Sequence, residues 1–323
     1  MFYKPTPTKG APTTIMKKAI TIADDPVFSR TKEMIPNAKI EPNFQETNPS
    51  VAWAIERIFQ DRKEVLNDKV PIEEPLEIDV NGRTVAILMR MPGMEKELAA
   101  GFCLSEGYIR RVQDILLIHH CGLGEPTPAL PENTGNESGS RNRVEIRVKE
   151  GALVLAKNEE AARLIRSGCG AADISPLAEA LPHLSPHFSV EPSVILRLGK
   201  TMRNLQRVYH ETGGTHSAVV FDASGKPLQV AEDIGRHNAV DKVVGYCALH
   251  KIQLEDKILP TSGRASYEMA IKAIHMKIPI IAAISAPTSL ALQTAQECRL
   301  TIIGYLRRIR MNVYTHPYRL RKN

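Results

Sequence analysis

Three times in its second half the sequence repeats one unit: an apolar run, a short polar turn, then a helical apolar stripe. The run ending near Ala231 leads into EDIGRHNAVDK (232–242), where a turn at Gly235 precedes a helix. On that helix Val240, Val243, Val244 and Cys247 recur at helix-face spacing. Residues 257–261 lead into Ser262-Gly263-Arg264-Ala265-Ser266 and a helix, and the unbroken run 278–284 leads into Ser285-Ala286-Pro287-Thr288-Ser289 and another. Strands of a parallel sheet read as continuous apolar runs because helices cover both faces. Right-handed connections then set the three turns along one edge, at the carboxyl ends of the strands, where open α/β sheets bind ligands. A strand over 301–306 closes the series. Ahead of it, Thr212-Gly213-Gly214-Thr215-His216 opens a strand over 217–222, which turns at Ser224-Gly225 into its partner, 227–231.

Residues 76–89 alternate instead. Leu76, Ile78 and Val80 face one way and Val85, Ile87 and Met89 mirror them across Asn81-Gly82, the pair best suited to a type I′ hairpin. Pro92-Gly93 breaks the chain. Residues 95–106 read as a helix with Leu98, Ala99 and Phe102 as its buried stripe and Gly107 as its stop. After a low-complexity loop at 122–141, a second hairpin is expected, with Val144, Ile146 and Val148 against Leu153 and Leu155 and a turn near Glu150-Gly151. At the front, residues 1–12 and 41–50 read as loop or disorder. Helical fragments are expected between them and again over 51–67, with Trp53, Ile55 and Ile58 docking on the body. The fold class is therefore α/β (α+β overall) in four parts: a partly disordered extension at 1–68, a small α/β domain of two hairpins and a helix at 69–156, a linker with a mobile cysteine loop at 157–193, and a second α/β domain at 194–323.

A hydrophobic content of 43% and a charged content of 24% describe an ordinary globular chain. No run approaches the ~20 apolar residues of a membrane span. The first residues hold charges but no signal-type apolar core, so a cytoplasmic location without membrane attachment is expected. Five scattered cysteines, an odd number, argue against a disulfide framework. The net charge of +6 favours anionic partners such as phosphates, while the basic tail reads as solvated rather than nucleic-acid binding.

Cys169 stands out as a candidate nucleophile. It is flanked by Gly168 and Gly170, with Arg163 and Arg166 near enough in sequence to favour its thiolate. Cys103 and Cys247 fall in apolar helix patterns, Cys298 at a helix end, and Cys121 beside the low-complexity loop. No CxxC or HExxH spacing occurs, so no metal site is expected despite His119-His120-Cys121 and His237. Phosphate binding has more behind it, because helix N-termini bind anions through free N–H groups and the helix dipole. Three such termini carry Arg236, Ser262, Arg264, Ser266, Thr288 and Ser289. Capping alone would explain the hydroxyls but not two arginines and a histidine at one edge. No Walker or Rossmann glycine motif is present.

With these residues in view, the sequence resembles the formate dehydrogenase accessory sulfurtransferase family (FdhD), in order from about residue 74 to 314. The shared segments are Met91-Pro92-Gly93 with ELAAGFCLSEGYI (97–109), TGGTHSA (212–218), EDIGRHNAVDK (232–242), SGRASYEM (262–269) and SAPTSLA (285–291). Gly304-Tyr305-Leu306-Arg307 and Met311-Asn312-Val313-Tyr314 complete the set.

The resemblance implies a sulfur carrier that accepts persulfide sulfur from a cysteine desulfurase. It would pass that sulfur to the molybdenum (or tungsten) bis-guanine-dinucleotide cofactor for formate dehydrogenase, with guanine nucleotide as a mimic of the cofactor and no bound metal ion. It implies a cytidine-deaminase-like three-layer αβα second domain lacking the deaminase zinc ligands, and pairing of two copies into a homodimer. Cys169 would bear the persulfide. The nucleotide pocket would fall on the converging turns, taking in Thr212, Gly213, Gly214, His216, Asp233, Gly235, Arg236, His237, Asn238, Ser262, Gly263, Arg264, Ser266, Ser285, Thr288 and Ser289. Among these, Arg236, Arg264, Ser262 and Ser289 would hold phosphates, and His237 and Asp233 would orient groups. Where the family carries a CxxC pair, this chain has Cys169 and Ala172. The alternative is therefore a cofactor-binding chaperone or insertion factor without sulfur transfer.

Overall fold

The computed structural model describes residues 48–121, 142–154 and 181–321. Cys169, the low-complexity loop and most of the expected extension and linker lie outside them. Within them are three sheets and six α-helices.

The first sheet corrects an expectation. Residues 51–67 were expected to be helical. They lie instead mostly within an antiparallel hairpin, β1 (Ser50–Ile58) with β2 (Lys63–Pro71), in which Val51, Trp53 and Ile55 pair with Val70, Asp68 and Leu66. Ile55 and Ile58 mimic helical spacing, but Val51, Trp53 and Ile55 alternate with period two, and that alternation governs. Trp53 is exposed, so it does not dock on the body.

The second sheet has the order β4-β3-β6-β5. β3 (Glu74–Val80) and β4 (Arg83–Arg90) form the hairpin at Asn81-Gly82, both at positive φ as a type I′ turn requires. The second expected hairpin is not formed. β6 (Arg143–Val148) pairs antiparallel with β5 (Ile115–Cys121) and parallel with β3. The apolar run 115–118 supplies a longer partner than Leu153, which makes only a single bridge to Ile109. The inner face of this sheet (Leu76, Ile78, Val144 and Ile146) packs on Leu98, Ala99 and Phe102 of α1 (Glu95–Ser105).

The third sheet has the order β12-β11-β10-β9-β7-β8. Strands β9 (Ile258–Thr261), β10 (Ile280–Ala283) and β11 (Thr301–Gly304) run parallel. β7 (His216–Phe221) runs antiparallel to both β9 and β8 (Pro227–Asp233), so β8 points the same way as the parallel strands. β12 (Asn312–Val313) closes the far edge. One face is covered by α4 (Arg236–Leu249), α5 (Tyr267–His275) and α6 (Ser289–Cys298), and the other by α2 (Pro192–Leu205). Pleating divides β7 between the faces, with Ala218 and Val220 on the first and Val219 and Phe221 on the second. A short helix, α3 (Arg207–Thr212), leads from α2 into β7.

α1 joins the two bodies by packing on α4 at van der Waals distance. A Cβ added at Gly101 would run into the Asp241 carbonyl, and one added at Gly245 into that of Glu97. Only glycine allows backbones this close. Among the described residues, no helix is long and apolar enough to cross a membrane.

Candidate functional site

Because β8 to β11 all point one way, the carboxyl ends of β8, β9 and β10 and the amino end of β7 meet at one edge. The turns are linked there directly. His216 Nδ1 lies 3.1 Å from Ser262 Oγ, which also accepts the Ser217 N–H at 2.9 Å. Arg236 packs over Gly263, where an added Cβ would come within 2.9 Å of Arg236 Cδ. Ala265 and Thr288 bond the second turn to the third, through Ala265 N–H to Ala286 O at 3.2 Å and Thr288 N–H to Ala265 O at 3.0 Å. The three turns thus converge with their predicted residues.

Two buried carboxylates fix this edge from behind. Glu232 accepts hydrogen bonds from the N–H groups of Val208 and Tyr209, each at 2.8 Å, and from Thr215 Oγ1 at 2.9 Å. It therefore caps α3 and holds the segment Thr212–Thr215 in place. Asp233 accepts from Met91 N–H at 3.1 Å, Gly235 N–H at 2.9 Å and Asn238 Nδ2 at 2.9 Å, and faces Lys242 Nζ at 2.7 Å. Lys242 in turn donates to Met91 O at 2.8 Å. Asp233 and Asn238 therefore spend their polar atoms inside the protein, shaping the turn from within the fold. Thr212 is likewise engaged, donating to Val208 O and accepting from Gly214 N–H.

A cavity of about 390 Å³ opens on the α2 side of this edge. Of the predicted residues, Gly213, Gly214, His216 and Ser262 line it, joined by Arg203, Gln206, Tyr209 and Ile284. Arg203 and Tyr209 escape a reading of the sequence because each occupies an ordinary solvent position on its helix. Arg236, Arg264, Ser266, Thr288 and Ser289 line the adjacent turns rather than the cavity.

The hydroxyls divide by role. Thr288 caps α6, its Oγ1 accepting from Ala291 N–H at 3.4 Å. Ser266 stands at the same position on α5 but makes no capping bond. Its Oγ is buried without a partner, as are Ser217 Oγ, Thr261 Oγ1 and Arg236 Nε. Buried polar groups are nearly always paired, so these four atoms stand out along the edge as polar groups without a protein partner. Arg264 and Ser289 are exposed.

His237 Nε2 lies 2.7 Å from Glu268 Oε2, tying the first turn of α4 to that of α5. The contact with His237 holds the Glu268 carboxyl below its usual range. Burial pushes the His216 imidazole down, with Arg236 and His237 adding to the effect. A neutral His216 can accept the Ser262 hydroxyl proton at Nδ1 and keep its own proton on Nε2. Glu268 lies within the SGRASYEM segment but was not among the predicted site residues; its contact with His237 comes from the proximity of the two helix starts. Among the described residues, no group of three His, Cys, Asp or Glu is placed to hold a metal ion. Burial raises the thiols of Cys103, Cys247 and Cys298, that of Cys247 to about 12, and raises Cys121 as well.

This chain is 38% identical over 255 residues to the sulfur carrier protein FdhD of Sulfolobus acidocaldarius, covering 78% of this chain and 91% of that one. It is 37% identical over 260 residues to the FdhD of Streptomyces avermitilis, covering 78% and 89%. In structure it is similar to a crystal structure described as a formate dehydrogenase accessory protein from Desulfotalea psychrophila. The TM-score is 0.66 at 24% identity, covering 85% of this chain and 100% of the other, a likeness of fold. The sequence profile of the FdhD/NarQ family matches residues 71–321, so every turn of this edge falls inside the match, and the chain belongs to the FdhD/NarQ family.

Proposed function

We propose that this protein is a cytoplasmic sulfur carrier for formate dehydrogenase maturation, with Cys169 as the carrier thiol. The observation that carries the ligand half of this reading is the set of buried, unpartnered polar atoms on the converging strand ends and turns: Ser217 Oγ, Thr261 Oγ1, Ser266 Oγ and Arg236 Nε. Three helix N-termini and these donors suit the phosphates of a guanine dinucleotide, with the molybdenum (or tungsten) cofactor as the substrate held there. The six-strand sheet with helices on both faces is read as cytidine-deaminase-like, and a homodimer as the working form.

For the sulfur half, the Cys169 thiolate attacks the terminal sulfur of a cysteine desulfurase persulfide. The desulfurase cysteine leaves as a thiolate, so the exchange is redox-neutral. Release from Cys169 as hydrosulfide takes two electrons. A small cellular thiol attacking Cys169 Sγ supplies them and leaves a mixed disulfide, which fits a chain with Ala172 in place of a resolving cysteine. The raised pKa values of the four described thiols leave them protonated at neutral pH, which supports Cys169 for the task.

Ala172 also favours a second reading, a chaperone that holds the cofactor without carrying sulfur. Intact-protein mass spectrometry after incubation with a cysteine desulfurase and cysteine separates the two. One added sulfur, mapped to Cys169 and lost in Cys169→Ala, is expected. No added sulfur, with guanosine diphosphate binding intact, would leave the chaperone reading standing instead.

A further inference from the structure

Two stretches of the described chain carry positive charge with no Asp or Glu among them. Residues 192–210 hold Arg197, Lys200, Arg203 and Arg207, and residues 298–321 hold six arginines. The fold brings parts of both onto one surface. The buried stripe of α2 packs with Leu306, Met311 and Val313 around β11 and β12. Gly199 sits so close that an added Cβ would lie 3.5 Å from both Ile284 Cδ1 and Leu306 Cγ. This leaves Arg197, Lys200 and Arg203 exposed along the solvent side of α2.

Beside them stands the turn between β11 and β12, closed by Arg307 N–H donating to Arg310 O at 2.9 Å. Arg308, Ile309 and Arg310 project from it, with Ile309 81% exposed. Arg307 Nη1 donates to Ile284 O at 2.7 Å, and Ile284 and Arg203 both line the cavity. The basic strip therefore borders the cavity mouth. Among the described residues, Arg197, Lys200, Arg203, Arg308 and Arg310 have no carboxylate partner.

An unpaired basic strip is attracted to a negative surface and speeds encounter with it. Its composition says which kind. Exposed Tyr305 and Tyr314 flank the turn, and arginine and tyrosine are residues in which the centres of protein interfaces are rich. We infer that this strip is the docking surface for an acidic patch on the protein that receives the cavity's contents, which on the reading above is apo-formate dehydrogenase.

The test measures association of the full-length protein with purified apo-formate dehydrogenase by surface plasmon resonance, comparing wild type with Arg308→Glu/Arg310→Glu and with Ile309→Ala. Charge reversal is expected to slow association at least about tenfold and to flatten the fall in on-rate between about 50 and 500 mM salt. Ile309→Ala is expected to speed dissociation. Guanosine diphosphate affinity and melting temperature should stay at wild-type values, since all three positions are exposed and outside the cavity. Unchanged association in the charge-reversed variant overturns the inference. So does a loss confined to cysteine desulfurase binding or to retention on duplex DNA. If wild type binds no guanosine diphosphate yet charge reversal still weakens apoenzyme binding, the cavity reading fails and the docking surface stands.

Discussion

Asp233 Oδ2 lies 2.7 Å from Lys242 Nζ, and the two side chains are 0% and 2% exposed. The pair joins the end of β8 to the second turn of α4, and Met91 bonds to both partners. Removing one member leaves the other as an uncompensated buried charge, a loss of about 3–5 kcal/mol. Asp233→Ala should therefore lower the denaturation midpoint sharply. A midpoint within experimental error of wild type would show that the pair does not hold the turn.

Ser266 and Thr288 occupy matching positions ahead of α5 and α6 but differ in use. Thr288→Ala removes a capping bond and should cost about 1 kcal/mol. Ser266→Ala removes a hydroxyl with no protein partner, so stability should stay within about 0.5 kcal/mol of wild type. If the edge binds phosphates, Ser266→Ala should instead weaken guanosine diphosphate binding. Parallel titration calorimetry and chemical denaturation of the two variants would check this opposite ordering.

Acid should weaken the junction between α4 and α5. The His237 contact holds the Glu268 carboxyl below its ordinary 4.5, so its stabilisation is full above that value and is lost as pH falls through the lower folded value. Glu268→Gln should flatten this acid limb of the stability profile, measured as urea midpoints across pH. His216 acts at higher pH. Its imidazole is held below 6.5 by burial, so stability should begin to decline as pH falls below that point, in wild type and Glu268→Gln alike.

Much of the edge was legible before any coordinates. Strand–turn–helix units are local, and their order dictates where the turns converge, so the meeting of Arg236, Ser262 and Ser266 at one edge follows from spacing, whereas His216 entered only through the family resemblance. The internal bonds of Asp233 and Asn238 were not legible, because a motif residue that faces inward looks the same in sequence as one that faces outward. The hairpin at 50–71 was misread because its three alternating apolar residues are too few to outweigh Ile55 and Ile58 at helical spacing. The partner of β6 was missed because it lies across the long loop 122–141, and sequence distance hides such pairings. Arg203 and Tyr209 reach the cavity only through the packing of α2 and α3 on the sheet, which no local pattern encodes.

The backbone contact between Gly101 and Gly245 has a bearing on how the protein meets a ligand. With α1 and α4 touching where no side chain can intervene, the four-strand and six-strand sheets share a common spine, and that spine continues through Met91 to Asp233 at the edge itself. The close backbone packing and the paired bonds of Met91 oppose hinging along it. Recognition at the edge is then that of a preformed surface, in which little binding energy is diverted to closing one domain on another.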